Sequence, residues 1–238
     1  MTEKSKGATF VLVHGAWSDE SIYGPVANIL RGNGHRVFAP TLTGVGRRAH
    51  LLNRDVDLTT HVQDVVNAIK FDGLSDIVLV GHSYGGMVIS GIADKIPELI
   101  SSIVYLDAFL PEDGQSLHDL ATGNRQMAEA QQALWDRGEI GIPFPEAFRL
   151  EFQIPEKDLW QFTPHPLATI MKPISLTGAY KTIAKKTYVL ASKFQGGFQQ
   201  FYDRLKDDPA WTVVTVPTGH IVQLEAPKRC AEILEAAI

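Results

Sequence analysis

The segment Gly81-His82-Ser83-Tyr84-Gly85-Gly86 constrains this chain more than any other feature of its sequence. It directly follows the apolar run Ile77 to Val80 and directly precedes a helical pattern from Gly85 to Lys95. A serine at such a sharp strand-to-helix turn has a strained backbone, and the flanking glycines leave room for chain segments that cross beside it. The adjacent helix N-terminus offers free N–H groups and a partial positive charge to an oxyanion. We call residues 81–86 the elbow and interpret Ser83 as a nucleophile.

Short β-branched runs alternate with helical patterns on both sides of the chain's middle third, which is typical of βαβ units. The predicted strands are Thr9 to Val13, His35 to Ala39, Ile77 to Val80, Ile103 to Leu106, Thr187 to Ala191 and Trp211 to Val216. The predicted helices are Ile22 to Arg31, one capped by Thr59 or Thr60 and running to about Lys70, Gly85 to Lys95, Phe198 to Leu205, and Ala226 to the end. The sequence therefore predicts an α/β fold with a mostly parallel central sheet flanked by helices.

The pattern changes between Pro111 and about Lys185 to helical and irregular segments rich in aromatic residues and prolines. No strand is predicted in this part of the chain. We interpret residues 111–185 as an inserted cap, and residues 1–110 and 186–238 as the core that it interrupts. A chain of 238 residues is compatible with one structural domain around a single sheet.

Charge and cysteine content exclude several classes of function. The net charge is -5 and no basic run is present, so nucleic acid is not an expected partner. Cys230 is the one cysteine, so neither an intrachain disulfide nor a cysteine-based metal site can form. The first apolar run, Phe10 to Val13, is too short for a signal-peptide core or a membrane span. We expect a cytoplasmic protein without membrane insertion.

Two further turns provide candidates for an oxyanion hole and a base. His14-Gly15-Ala16-Trp17 follows the first strand, and we expect the backbone N–H groups of Ala16 and Tyr84 to be the oxyanion donors. We interpret His14 as structural. Of the eight histidines, His220 alone lies beyond residue 165. It follows the last strand in a turn that can carry its side chain back toward Ser83, so we interpret it as the general base.

Asp107 is the candidate for the acid that orients the histidine. It follows the strand Ile103 to Leu106, at the carboxyl edge of the sheet where catalytic groups collect. A carboxylate there can orient an imidazole and stabilise its protonated form. The alternative role of Asp107 is a loop cap for Glu112 or Gly114. Three later carboxylates are Asp203, Asp207 and Asp208. We expect them to be solvated, but one of them could reach the histidine instead of Asp107.

Taken together, the segments Val11 to Trp17, the elbow and the His220 turn resemble the α/β-hydrolase superfamily over nearly the whole chain. Within it, the sequence is similar to small bacterial esterases related to plant methyl esterases and hydroxynitrile lyases. The segments that carry this likeness are Phe10 to Trp17, Pro40 to Gly44 and Val104 to Phe109. The resemblance implies an α/β-hydrolase fold with a helical cap.

Departures from the family pattern narrow the chemistry that the resemblance implies. The plant relatives carry their acid after the next-to-last strand, where Ser192 to Gln195 contain no carboxylate. Some haloalkane dehalogenases use the earlier strand, which is a precedent for Asp107. Hydroxynitrile lyases carry threonine where Gly15 stands and lysine where Ile221 stands, and dehalogenases need aspartate where this chain has Ser83. The reaction that these departures leave open is hydrolysis of an acyl compound, which requires no metal or organic cofactor.

Aromatic residues of the cap suggest an apolar pocket, although most of them are expected to hold the cap together. The residues that we expect to contact substrate are Trp17, Trp135, Phe144, Trp160 and Ile221. Arg47 and Arg48 lie near the same sheet edge, and either contact an anionic substrate or are solvated. For His165, between two prolines, a structural turn is favoured over a place at the pocket entrance.

The expected function is that of a serine hydrolase that cleaves a carboxylic ester of a small, largely apolar substrate through an acyl-enzyme. Hydrolysis of a carbamate or amide by the same residues stays open, because the machinery is shared. A ligand receptor on a hydrolase fold is a further alternative. The absence of polar side chains at Gly15 and Ile221 disfavours a hydroxynitrile lyase. The expected partner is a small molecule, and the chain is expected to be a monomer or homodimer.

Overall fold

A six-stranded parallel sheet forms the centre of the computed structural model, which describes residues 7–121 and 125–238. Its strands are β1 (Thr9–Val13), β2 (Arg36–Phe38), β3 (Ile77–Ser83), β4 (Ile100–Ala108), β7 (Lys185–Ala191) and β8 (Thr212–Val216). Their order across the sheet is β2-β1-β3-β4-β7-β8, and every neighbouring pair is parallel. The predicted α/β fold with a parallel central sheet is therefore confirmed.

The strands at the centre of the sheet are continuous apolar runs because helices cover both faces. Along β1, Phe10 and Leu12 pack into one hydrophobic layer, whereas Val11 and Val13 pack into the other. This alternation follows from the two-residue period of side chains in a strand. All five residues of β1 are buried.

Helices form the two outer layers and part of the cap. They are α1 (Gly24–Gly32), α2 (Leu58–Phe71), α3 (Gly85–Lys95), α4 (Leu117–Leu120), α5 (Arg125–Asp136), α6 (Glu146–Glu151), α7 (Ala168–Met171), α8 (Gln199–Leu205), α9 (Val222–Glu225) and α10 (Pro227–Ala236). Helices α1 and α10 pack on one face of the sheet, and α2 and α3 on the other. None of the described helices is long and apolar enough to cross a membrane.

The prediction that Thr59 or Thr60 caps α2 is wrong. Asp57 is the N-cap, and its carboxylate accepts a hydrogen bond from the backbone N–H of Thr60 at 3.2 Å. The hydroxyl of Thr60 accepts in return from the N–H of Asp57, which completes a capping box. Aspartate is at least as good a cap as threonine, so the boundary lies two residues earlier than the threonine pattern suggested.

The expectation that residues 111–185 contain no strand is also wrong. A two-stranded antiparallel sheet joins β5 (Gly141–Ile142) to β6 (His165–Pro166) within the predicted cap. Each of these strands has two residues, which is too short to produce an alternating pattern in the sequence. The remaining described part of the predicted cap contains α4 to α7 and irregular segments.

Apart from His220, four histidines of the described chain are buried, and they hold loops together. His14 donates to the carbonyl of Gly15 through Nδ1 at 2.8 Å and accepts from the N–H of Leu42 through Nε2 at 3.1 Å. Burial lowers the pKa of His14 and of His61 from 6.5 to about 4, that of His82 to about 3, and that of His165 well below 6.5. Protonation in the unfolded state therefore competes with folding once the pH falls below 6.5.

We expect the free energy of unfolding to decrease as the pH is lowered from 7 to 5. The folded pKa values are depressed, so the stabilisation is complete above pH 6.5 and is lost on acidification, by up to about 1.4 kcal/mol per pH unit for each buried histidine. Urea unfolding at a series of pH values measures the slope. His61→Asn removes one such group and should flatten the slope, whereas the exposed His50→Asn should not. An unchanged slope in His61→Asn would contradict this origin of the acid sensitivity.

Candidate active site

The elbow brings Ser83 to the carboxyl end of β3 in a backbone conformation that side chains rarely adopt. Ser83 has a φ of 55°, and it is the one residue of β3 that is not fully buried. Two glycines make this turn possible. A Cβ atom on Gly85 would lie 2.6 Å from the carbonyl oxygen of Val13, and one on Gly86 would collide with the carbonyl oxygen of Phe109. The backbones of β1 and of the segment after β4 therefore cross directly beside the serine.

Asp107 lies one residue before the end of β4 and forms a close pair with His220. His220 Nδ1 lies 2.6 Å from Asp107 Oδ2, and Asp107 Oδ1 accepts from the N–H of Ala191 at 3.0 Å. In the pairing of β3 with β4, the register shifts at this point, so that Asp107 is the extra residue of a bulge with a φ of 43°. Bulges re-aim side chains next to active sites. Here the bulge directs the carboxylate toward the histidine.

The electrostatics of the Asp107–His220 pair suit a general base at His220. Burial lowers the pKa of His220, so its imidazole is neutral near pH 7. Because Nδ1 donates its proton to Asp107, Nε2 carries the lone pair and can accept a proton. Burial raises the pKa of Asp107, and the hydrogen bond from Ala191 opposes that rise by favouring the carboxylate.

Aromatic rings enclose the imidazole of His220. Phe194 stacks on it at a centroid distance of 4.5 Å and an angle of 25°, and Phe198 at 5.1 Å and 16°. Phe152 from the predicted cap is also nearly parallel to it, at 6.0 Å. On another side, His82 donates through Nε2 to the carbonyl of His220 at 3.0 Å. The loop after β7, which has no carboxylate, thus contributes an aromatic wall that fixes the plane of the imidazole.

Ser83 and His220 line one cavity of about 360 Å³ between the sheet edge and the predicted cap. Its wall is mainly aromatic. The aromatic residues that line it, apart from His82, Tyr84 and His220, are Trp17, Phe109, Phe144, Phe148, Phe152, Phe162, Phe194 and Phe198. Ala16 and Tyr84 also line this cavity beside Ser83, as an oxyanion hole requires, and their role as donors stays a prediction. A cavity of this size and lining suits a small apolar molecule.

Of the residues predicted to contact substrate, Trp17, Phe144 and Ile221 line this cavity. Within the part of the chain that the structure describes, the cavity wall does not include Trp135 or Trp160, which are 39% and 78% exposed. This corrects the expectation of a pocket contact for these two tryptophans. Trp160 lies in a 3-10 turn at residues 156–161 that has no buried residue, and α5 turns Trp135 toward solvent.

The two arginines near the sheet edge pair with carboxylates of the core. Arg47 lies 2.6 Å from Glu20, and Arg48 donates to the carbonyl of Thr41 at 2.9 Å and lies 3.5 Å from Asp64. These contacts do not support a role in binding an anionic substrate. In the same way, His165 is fully buried and bonds to a neighbouring threonine, as expected for a structural turn.

Several residues of the cavity lie outside the aromatic set of the predicted cap and are not predictable from the sequence pattern. Phe194 and Phe198 follow β7 in a segment that is polar apart from these rings, and Gln131 is a polar residue on a polar helix. No periodic pattern marks any of them. Among residues 7–121 and 125–238, no group of three or more histidine, cysteine, aspartate or glutamate side chains is arranged to hold a metal ion.

Comparison with known proteins identifies the family. The family model described as "Alpha/beta hydrolase family" matches residues 10–233. The chain belongs to this family. A carbendazim hydrolyzing esterase from Nocardioides sp. (strain SG-4G) is 41% identical over 240 residues, which cover 96% of this chain and 99% of that protein. Methyl jasmonate esterase 1 from Vitis vinifera is 26% identical, with 89% of this chain and 86% of that protein covered.

Solved structures agree with this assignment. An extracellular alpha/beta-hydrolase from a Paenibacillus species superposes with a TM-score of 0.84 at 27% identity, covering 97% of this chain and 98% of that one. Some alignments with curated relatives are shorter: the one with putative methylesterase 13 from Arabidopsis thaliana covers 52% of that protein. The predicted relationship of this α/β hydrolase to plant methyl esterases is confirmed.

Gly86→Ala should destabilise the protein by about 1–3 kcal/mol or more, because its Cβ would collide with the carbonyl of Phe109. Gly24→Ala is a matched control. Gly24 lies in the α-helical region at a φ of -46° with open space around its Cβ position, so this change should be neutral or slightly stabilising. Urea unfolding of both variants measures the difference, and equal stabilities would show that the elbow tolerates a side chain at residue 86.

Proposed function

We propose that the protein is a serine hydrolase that cleaves carboxylic esters of small, largely apolar substrates through an acyl-enzyme intermediate. The observation that carries this proposal is that Ser83 and His220 line one aromatic cavity, and that His220 is paired with the buried Asp107. A nucleophile on a strained turn, a neutral imidazole and a buried carboxylate are the parts that acyl transfer requires. The relatives named as esterases support the same chemistry.

In the first half of the reaction, the hydroxyl oxygen of Ser83 attacks the ester carbonyl and its proton passes to Nε2 of His220. The imidazole becomes an imidazolium, which the carboxylate of Asp107 stabilises from the opposite side of the ring. The carbonyl oxygen becomes an oxyanion next to the N–H groups of Ala16 and Tyr84. Each such donor typically accelerates the reaction by about 10²- to 10³-fold.

The tetrahedral intermediate collapses when His220 donates its proton to the leaving alcohol, which leaves an acyl group on Ser83. A water molecule then attacks the acyl carbonyl while His220 accepts the proton of that water. Release of the carboxylic acid restores the serine hydroxyl and the neutral imidazole. The sequence of steps needs no metal or organic cofactor.

The aromatic wall supports an apolar substrate. Trp17 is held in position because its indole N–H donates to the carbonyl of Ile142 at 2.9 Å, and its ring contacts Phe144 and Phe148 edge-on. This set of rings offers planar apolar surface rather than charge. Exclusion of water from such a cavity also strengthens the hydrogen bonds that act on the oxyanion.

Hydrolysis of short p-nitrophenyl esters tests the assignment of Ser83 and Asp107. We expect clear activity in the parent protein, no activity above background in Ser83→Ala, and a decrease of kcat by about 10³- to 10⁴-fold in Asp107→Asn, since asparagine holds the wrong imidazole tautomer. Asp203→Asn is the matched control. Asp203 lies in the exposed part of α8, where it pairs with Lys206, and its loss should leave kcat unchanged.

Full activity in Asp107→Asn together with loss of activity in Asp203→Asn would contradict the assignment and move the acid to the later helix. Circular dichroism of each variant separates a loss of catalysis from a loss of folding. A parent protein that binds these esters without turning them over would instead favour a ligand receptor.

A carbamate is the second candidate substrate class, because the 41% identical relative is named for hydrolysis of carbendazim, a methyl carbamate of an aromatic heterocycle. The same nucleophile and base can attack a carbamate carbonyl, and the aromatic wall suits a planar ring system.

Matched substrates distinguish an ester hydrolase from a carbamate hydrolase. We expect kcat/KM for p-nitrophenyl acetate to exceed that for p-nitrophenyl N-methylcarbamate by at least about tenfold, since the carbamate carbonyl is less electrophilic and the difference corresponds to about 1.4 kcal/mol in the barrier. Stopped-flow kinetics with both compounds and with the corresponding anilide measures the ratio. A higher kcat/KM for the carbamate would overturn the ester preference and favour the second candidate.

A further inference from the structure

Gln131 is the one buried residue of α5 in the structure, and it is polar. Its side chain is 3% exposed, whereas the rest of the helix is rich in exposed polar and charged residues. Burying an amide is unfavourable unless its donors and acceptors find partners. An apolar residue would anchor this helix to the cavity at lower cost. A glutamine at the buried position therefore indicates that its amide binds a polar group.

One end of the Gln131 amide is already bound. Its Oε1 lies 3.0 Å from Nδ1 of His118, and because an amide oxygen can only accept, Nδ1 carries the proton of that hydrogen bond. This contact fixes the orientation of the amide. Among the described residues, His118 is the sole hydrogen-bond partner of the Gln131 side chain, so the Nε2 group keeps both of its N–H donors free.

Gln131 lines the same cavity as Ser83, and apart from Arg125 the other described residues of the predicted cap in that wall are apolar. They include Leu117, Leu120 and Phe148. A donor in such surroundings gains most from a ligand that brings an acceptor, and a ligand without one leaves it unpaired. Arg125 also lines the cavity, but its side chain is 90% exposed and pairs with Glu129 at 2.7 Å, so its charge lies in solvent and the buried wall around Gln131 favours a neutral acceptor over an anion.

We propose that Gln131 is a specificity-determining residue, whose amide donates to a neutral hydrogen-bond acceptor on the part of the substrate that lies under the cap. The inference rests on the proposed hydrolase function and adds to it a substrate class. The substrate is a largely apolar ester that carries a ketone-type carbonyl, an ether oxygen or an aromatic ring nitrogen away from the scissile bond.

The test compares ligands that differ in the acceptor alone. p-Nitrophenyl 5-oxohexanoate carries a ketone where p-nitrophenyl 5-methylhexanoate carries an alkyl branch, and homologous pairs one carbon shorter and longer allow for the depth of the cavity. Calorimetry measures the Kd of each ester for the full chain with Ser83→Ala, which prevents turnover. The informative quantity is the ratio of the Kd of the alkyl ester to that of the keto ester.

We expect this ratio to fall by about 5- to 50-fold when Gln131→Leu is added, as for the loss of a hydrogen bond in an apolar site. Gln131→Glu should lower it as well, because it keeps the side-chain shape and the acceptor for His118 but lacks the N–H donors. Gln132→Leu is the matched control: Gln132 is the next residue, is exposed and bonds to Asp136. A ratio that stays the same in both Gln131 variants at every chain length would overturn the proposal.

Hydrolysis of the same esters by the chain with Ser83 intact separates the hydrolase function from the role of Gln131 in specificity. A keto preference that depends on Gln131 in binding, without turnover of any ester, would overturn the hydrolase function and retain the subsite. Turnover of both esters with a ratio of kcat/KM values that is the same in the parent and in Gln131→Leu would retain the function and overturn the subsite.

Discussion

Backbone segments cross so closely at the elbow that three strands must end together beside Ser83. The carbonyl of Val13, at the end of β1, occupies the space next to Gly85, and the carbonyl of Phe109, just after β4, occupies the space next to Gly86. This close packing brings the loop with Ala16 to one side of the serine and Asp107 to the other. The glycines therefore determine where the candidate oxyanion hole and the candidate acid lie relative to the nucleophile.

The candidate acid, Asp107, lies on β4, and the loop after the neighbouring strand β7 has a different part in the site. Asp107 is fully buried, points to His220 from a bulge and is held by the N–H of Ala191. The loop after β7 contains no carboxylate between Ser192 and Phe198, and it stacks Phe194 and Phe198 on the imidazole. The imidazole of His220 is therefore buried against two nearly parallel aromatic rings. These rings also make the wall of the cavity next to His220 aromatic.

The parts of the fold that were predictable are those in which local pattern and burial agree. The continuous apolar runs of β1 and β3 identify a parallel sheet covered on both faces, and the glycine pattern around Ser83 is required by backbone contacts. Because His220 is the one histidine beyond residue 165, it is the main candidate for the base. The strands follow from a local hydrophobic pattern, and the glycines from backbone contacts that leave no room for a Cβ atom.

The interior of the predicted cap was less predictable, because its residues face the cavity by tertiary packing rather than by periodicity. Trp135 and Trp160 are large aromatic side chains that the structure leaves partly or mostly exposed, whereas Gln131, a polar residue on a polar helix, is buried. Residue type alone would place the two tryptophans in the interior and the glutamine at the surface. The strands β5 and β6 were missed for a related reason, since two residues cannot display a period.

The assignment of Ser83 as the nucleophile and His220 as its base is tested most directly by covalent labelling with diethyl p-nitrophenyl phosphate. The reagent phosphorylates an activated serine, and mass spectrometry of peptides locates the group. We predict one diethylphosphoryl group per chain, on Ser83, with loss of esterase activity in proportion to labelling and a labelling rate at least about 10³-fold lower in His220→Ala. Labelling at another residue, or full esterase activity in a chain whose Ser83 is modified, would contradict the assignment.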